Sequence, residues 1–209
     1  MKKKGFGAIG IIGIVAVIAI VLVGWYVGTY NSIIGLEQTV EEKTSAIKTQ
    51  LERRADLIPN LVNTVKGYAS HEQKIIDTIT DARAAVSGAN SIKELSAAND
   101  KLSSALNGLN VIVENYPDLK ADTTFVGLMD ELAGTENRIV TARNDYNTAV
   151  KDYNTKITTI PSSIVAGMMG REKKDFFEVS DESKLKVPEV NFDTDKKEWE
   201  NSLASFWLL

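Results

Sequence analysis

Few side chains in this sequence are of types that do chemistry on their own. Cysteine is absent, which excludes disulfides, thiol nucleophiles, thiolate metal sites and a lipid-modified N-terminal cysteine. The single histidine, His71, follows Ala69-Ser70 with no Glu three residues earlier. The Glu-x-x-His pairing of di-metal helical bundles is therefore missing. Beside Glu72, His71 reads as a partly exposed polar pair rather than an acid–base catalyst. Serines and threonines are plentiful, but no base stands in a recognisable relation to any of them, and no glycine-rich phosphate loop follows a strand. The chain is expected to be no enzyme and to use no metal or cofactor.

Two polar constellations remain. Asp145-Tyr146-Asn147-Thr148 recurs seven residues later as Asp152-Tyr153-Asn154-Thr155, so both Tyr–Asn pairs share one helix face. They form either a binding stripe or a core edge, with buried tyrosine rings and asparagines that fix helix register. The core-edge reading is favoured. The second constellation is Arg53, Arg54, Asp56, Pro59 and Asn60. Arginines at a helix C-terminus complement its dipole. Asp56 is expected to cap a following helix whose first turn holds Pro59, where a missing N–H costs little. This corner has a structural reason to exist and is also a candidate interaction surface.

The elements that must position these residues are helical. Apolar residues recur at three- and four-residue steps in four series, beginning at Ile33, Ile58, Ile92 and Phe125. Each is a one-sided stripe of the kind a core-facing helix needs. Asp56, the turn Ser87-Gly88-Ala89-Asn90-Ser91 with its own cap, and Tyr116-Pro117-Asp118 separate them, and Asp122 or Thr123 can cap the fourth helix. The expected bundle helices run roughly over 30–56, 57–87, 91–116 and 122–160, and short connections make neighbours antiparallel. No proline precedes Pro59, so the first bundle helix can continue directly from the segment before it. The fold class is all-α: an N-terminal single-pass transmembrane helix, an antiparallel four-helix up-and-down bundle, and a mostly irregular C-terminal tail. The corresponding segments are 1–28, 29–160 and 161–209.

Gly5 to Gly28 carries no charge and would span about 36 Å as a helix, against a hydrocarbon core of about 30 Å. A cleaved signal peptide has a shorter apolar core and a small-x-small site. Here Trp25, Tyr26 and Tyr30 follow the run, as in an interfacial aromatic belt. A retained anchor is the expectation. Lys2, Lys3 and Lys4 place the N-terminus in the cytosol and the remainder outside it. Gly24-x-x-x-Gly28 offers a face for close approach of a second helix. With 24 basic against 28 acidic residues, and a formal net charge of −4, nucleic acid is not an expected partner. At the C-terminus, Trp199, Phe206 and Trp207 lie near Lys196-Lys197. That end either folds onto its own bundle or rests at the membrane interface or against a neighbouring copy, and the second is the expectation.

The stretch Leu51-Glu52-Arg53-Arg54-Ala55-Asp56-Leu57-Ile58-Pro59-Asn60-Leu61-Val62 resembles the LemA family. So do Val65-Lys66-Gly67-Tyr68, His71-Glu72, and Glu114-Asn115-Tyr116-Pro117-Asp118-Leu119-Lys120-Ala121 with Phe125 and Leu128. Glu136-Asn137-Arg138-Ile139, Tyr146-Asn147, Tyr153-Asn154 and Pro161 continue it, over roughly Tyr30 to Phe192. The resemblance implies a bacterial-type protein with one N-terminal membrane helix and an extracytoplasmic helical bundle. It supplies no catalytic residues. Some relatives are associated with building magnetosome membranes, which points to membrane organisation. Two departures stand out: Thr44 occupies a position where relatives often carry Trp, and the tail beyond Phe192 is longer than is typical.

The function expected is that of a non-enzymatic, membrane-anchored scaffold of the bacterial envelope that self-associates and organises membrane or partner proteins. The alternative is an extracytoplasmic sensor or adaptor whose bundle binds a ligand or a protein. The expected partners are the lipid bilayer, further copies of the chain and other envelope proteins.

Overall fold

The stripe that begins at Ile33 does not stop at Asp56. In the computed structural model, which describes residues 8–178, it continues through Leu51, Ala55, Ile58, Leu61 and Val65, all buried. One helix, α1 (Ala8–Tyr68, 61 residues), carries the whole series with Pro59 inside it. The expected boundary at 56/57 is therefore corrected, as is the capping role of Asp56, which is an exposed mid-helix residue. Proline in a helix interior leaves the carbonyl four residues earlier without a partner. Here that carbonyl, Ala55 O, accepts from Arg83 Nε at 3.1 Å. A tertiary bond replaces the helical one, and the apolar face stays in phase across the proline.

The chain turns instead at Ala69–Glu72, where Glu72 N–H donates to Ala69 O at 3.1 Å. It returns as α2 (Gln73–Gly88). α3 (Ile92–Val113) starts at the expected cap, with Ser91 Oγ accepting from Glu94 N–H. After the single turn α4 (Pro117–Lys120), Asp122 caps α5 (Thr123–Thr158) by accepting from Phe125 N–H at 2.8 Å. α6 (Ser162–Met168) follows. Among the described residues all regular structure is helical.

Contacts fix the directions. Arg83 lies against Ala55, so α2 runs back along α1. Tyr116 Oη donates to Glu72 at 2.9 Å and Tyr68 Oη donates to Asp122 at 2.8 Å, so α3 runs out again and α5 returns. α2 and α3 are much shorter than α1 and α5 and flank only the outer half of α1. The inner half, nearer the apolar span, is covered by α5, by α6 through Val165 and Ala166, and by an extended segment, 171–178, through Phe177. Part of the sequence expected to be irregular tail thus completes the core. Trp199, Phe206 and Trp207 lie outside the described residues.

Candidate functional site

The densest polar construction in the molecule is built on the Tyr–Asn repeat of α5. Tyr146 and Tyr153 are buried, as the core-edge reading requires. The asparagines do something else. Asn154 accepts from Lys174 N–H and donates to Lys174 O, each at 2.9 Å. Asn147 accepts from Phe177 N–H at 2.9 Å and donates to Phe177 O at 3.1 Å. Two side-chain amides thus hold a peptide backbone as a neighbouring strand would. The spacings match: seven helical residues rise about 10.5 Å, and three extended residues cover about 9–10 Å.

Other groups complete this clasp. Tyr146 Oη donates to Asp175 O at 2.8 Å, and Ser96 of α3 donates to Glu178 O. Glu37 of α1 pairs with Arg171 at 3.0 Å and with Lys174 at 3.3 Å, and the Lys174 ammonium lies 5.6 Å from the centre of the Tyr153 ring. Arg171, Lys174 and Phe177, three residues apart, face the helices, while Glu172, Lys173, Asp175 and Phe176 are exposed. Burial, reinforced by the Asp175 carboxylate, pushes the Tyr146 phenol up to about 12. Gly170, at φ 64, makes the reversal out of α6, and Arg171 N–H donates back to Ala166 O at 3.0 Å.

The Arg53–Asn60 corner divides on α1. Arg54 is buried and joins three helices: it donates to Asn99 at 2.8 Å and Ser103 at 3.0 Å on α3, and forms an ion pair with Glu136 on α5. Burial lowers the pKa of its guanidinium, against the opposing pull of Glu136. Arg53 faces outward and pairs with Glu131 at 3.0 Å. Asp56, Pro59 and Asn60 are exposed. Gly24 and Gly28 have open space where a Cβ would stand. His71 is exposed, and among the described residues no three His, Asp or Glu side chains gather as a metal set. The sequence does not single out Asn99 and Glu37, and Glu136 enters only through the family resemblance, because their partners lie on other elements.

Shallow depressions occur among the described residues. One of about 380 Å³ lies where α2 meets α3, lined by Ala85, Ala89, Ala98, Glu94 and Lys101. A second, of about 370 Å³, lies between α1 and α5, bordered by Lys43, Gln50, Arg138 and Asp145. In the second, the Thr141 hydroxyl donates to Asn137 O at 3.1 Å within its own helix.

The exposed side chains of the first part of α1 are apolar from Ile11 to Val23, and the helix is long and apolar enough to cross a membrane. Residues 43–192 match the LemA family. The chain belongs to the LemA family. Among its members, Protein LemA of Metamycoplasma hominis is 27% identical over 173 residues, covering 81% of this chain and 75% of that protein. Magnetosome protein MamQ 2 of Paramagnetospirillum magneticum is 26% identical over 175 residues, covering 71% of this chain. Magnetosome protein MamQ of Magnetospirillum gryphiswaldense is 24% identical over 174 residues, again covering 71% of this chain. The chain spans 64% of the length of these two magnetosome relatives. The LemA match includes the Arg54 junction and the α5 clasp apart from Glu37.

Proposed function

We propose that this chain is a non-enzymatic, single-pass membrane scaffold of the bacterial envelope. Its N-terminus is cytosolic and its helices extracytoplasmic, forming an up-and-down bundle that self-associates and organises membrane or partner proteins. The observation that supports this most is the continuity of α1, which runs from the apolar span into the core without a linker. Such a helix holds the bundle at a fixed distance and direction from the bilayer, as a scaffold needs and a soluble enzyme does not. Kinship with proteins named for the magnetosome supports a role in membrane organisation. Gly24 and Gly28, open on one face, are the proposed contact between spans, and exposed Asp56, Pro59 and Asn60 a proposed contact for partners.

Mass measurement of the detergent-extracted full chain tests this reading. A multiple of the 22.9 kDa chain, reduced by Gly24→Ile with Gly28→Ile, supports it. A monomer with no co-purifying protein overturns it. Protease added outside the membrane should digest the bundle and spare the N-terminus, and full protection of the bundle would reverse the orientation.

The adaptor reading draws on one observation. Gln50, which borders the α1–α5 depression, holds its Oε1 buried without a hydrogen-bond partner among the described residues. A ligand donor entering there would satisfy it. Ligand-dependent protection of α1 around Gln50 in hydrogen exchange would favour that reading, and uniform exchange under all ligands tried would remove it.

A further inference from the structure

The end of the bundle nearest the apolar span carries a group of exposed apolar side chains that the core does not use. Ile160 is 84% exposed, Ile164 60% and Met168 72%. Ile164 and Met168 lie one turn apart on the outer side of α6, and Ile160 precedes them in the turn from α5. The opposite side of α6 is buried through Ser162, Val165 and Ala166. Singly exposed apolar residues are ordinary, but a cluster of them on one short element marks a contact.

Charge shows which contact. No charged residue occurs between Lys4 and Glu37, nor between Lys156 and Arg171. The residues that end these two uncharged stretches, Glu37 and Arg171, are paired at 3.0 Å. The uncharged part of α1 and the whole of α6 therefore stop at one level. Below that level, Ala8–Gly28 rises about 31 Å, enough for a hydrocarbon core of about 30 Å. Thr29–Leu36 adds about 12 Å, enough to cross the adjoining headgroup zone of about 5–8 Å and reach a few ångströms beyond it. Thr29 and Ile33 on this stretch are buried, and Ile33 belongs to the cluster that contains Val165 and Ala166. Trp25 and Tyr30, partly exposed, flank Gly28 at the end of that span, and aromatic side chains favour a membrane interface. Lys156, the last charge of α5, is a cation suited to lipid phosphate.

We propose that the α5–α6 corner is a second membrane contact, in which Ile160, Ile164 and Met168 enter the lipid interface beside α1. This rests on the reading that α1 spans the bilayer. The contact gives the bundle two points of support, the span and the corner, and so fixes which side of the bundle faces the membrane. An apolar patch of this size adds orientation rather than anchoring strength.

The absence of native cysteine makes a site-directed test clean. Full-length chains carrying one substitution each, Ile160→Cys, Ile164→Cys or Met168→Cys, are labelled with a nitroxide and reconstituted in phosphatidylethanolamine/phosphatidylglycerol liposomes. Accessibility to oxygen, which partitions into lipid, is compared with accessibility to a water-soluble nickel chelate. Val17→Cys reports the span, and Val111→Cys on α3, 72% exposed, reports an equally bare apolar site far from it. Labels at 164 and 168 should favour oxygen several-fold over the label at 111. Water-like accessibility at 160, 164 and 168, with a lipid-like label at 17, overturns the second contact and leaves the anchor standing. Labels shielded from both reagents would show a second copy on the corner, and also overturn it. A water-like label at 17 would instead refute the anchor itself.

Discussion

Arg83 donates from α2 to Ala55 O, the carbonyl that Pro59 leaves unpartnered on α1. The bond makes the continuity of α1 a property of two helices rather than one. Arg83→Ala should leave a partly buried acceptor unsatisfied and cost about 1–3 kcal/mol. Pro59→Ala restores the helical N–H, and in that background the same Arg83 substitution should cost about 0.5 kcal/mol or more less. Denaturant unfolding of the four chains of this cycle measures the difference. Strict additivity would show that the arginine acts elsewhere.

Asp56, within the helix rather than at its start, should tolerate alanine. A change within about 0.5 kcal/mol is expected, against the loss of about 0.5–2 kcal/mol that an N-cap would give. Thermal melting distinguishes the two. Lost cellular function with an unaltered melt would mark Asp56 as a partner contact.

The Arg54 junction should respond asymmetrically. Glu136→Ala leaves a buried guanidinium without its counter-charge, at a cost of about 1–3 kcal/mol, reduced by the partial exposure of Glu136. Arg54→Met with Glu136→Met removes both charges and should recover much of that loss. A double variant weaker than Glu136→Ala alone, seen in chemical denaturation, would show that the pair, together with the Arg54 bonds to Asn99 and Ser103, contributes net stability.

In the clasp, Asn147→Ala and Asn154→Ala each remove two hydrogen bonds to the extended segment. About 1–2 kcal/mol per residue is expected. The amides of Lys174 and Phe177 should exchange faster while those of α2 and α3 stay unchanged. Exchange accelerated throughout the protein would mean that the segment is integral to global folding.

Tyr146 ties the same segment to pH. Its phenol titrates near 12 when folded and at about 10 when unfolded. The folded state holds the proton more tightly, so the associated stability is full below about pH 10 and is lost as pH rises toward about 12. Tyr146→Phe should flatten the fall in stability across that window. An unchanged alkaline profile would assign the fall to other groups.

How much of this was legible in the sequence depends on where each partner sits. Ser91 and Asp122 cap helices by bonding to backbone three residues on, so local spacing revealed them. Pro59 misled because its compensation comes from Arg83, on another helix. The Tyr–Asn repeat was visible as a stripe, and its buried tyrosines were foreseen. The asparagines were misassigned to helix register because their ligand is main chain, which leaves no residue-type signature. α6 and the extended segment looked like tail because neither has the length to display a period.

The unbroken course of α1 has a mechanical consequence. From Gly28 to Tyr68 the helix extends about 60 Å, with no joint at the end of the apolar span to absorb rotation. A tilt of the span by about 20°, ordinary for a membrane helix, would carry the far tip sideways by about 20 Å. The angle at which two spans cross inside the bilayer would then set how far apart their tips stand outside it. In the proposed spanning and self-associating state, bilayer thickness, acting through tilt, would control the spacing of whatever the tips hold.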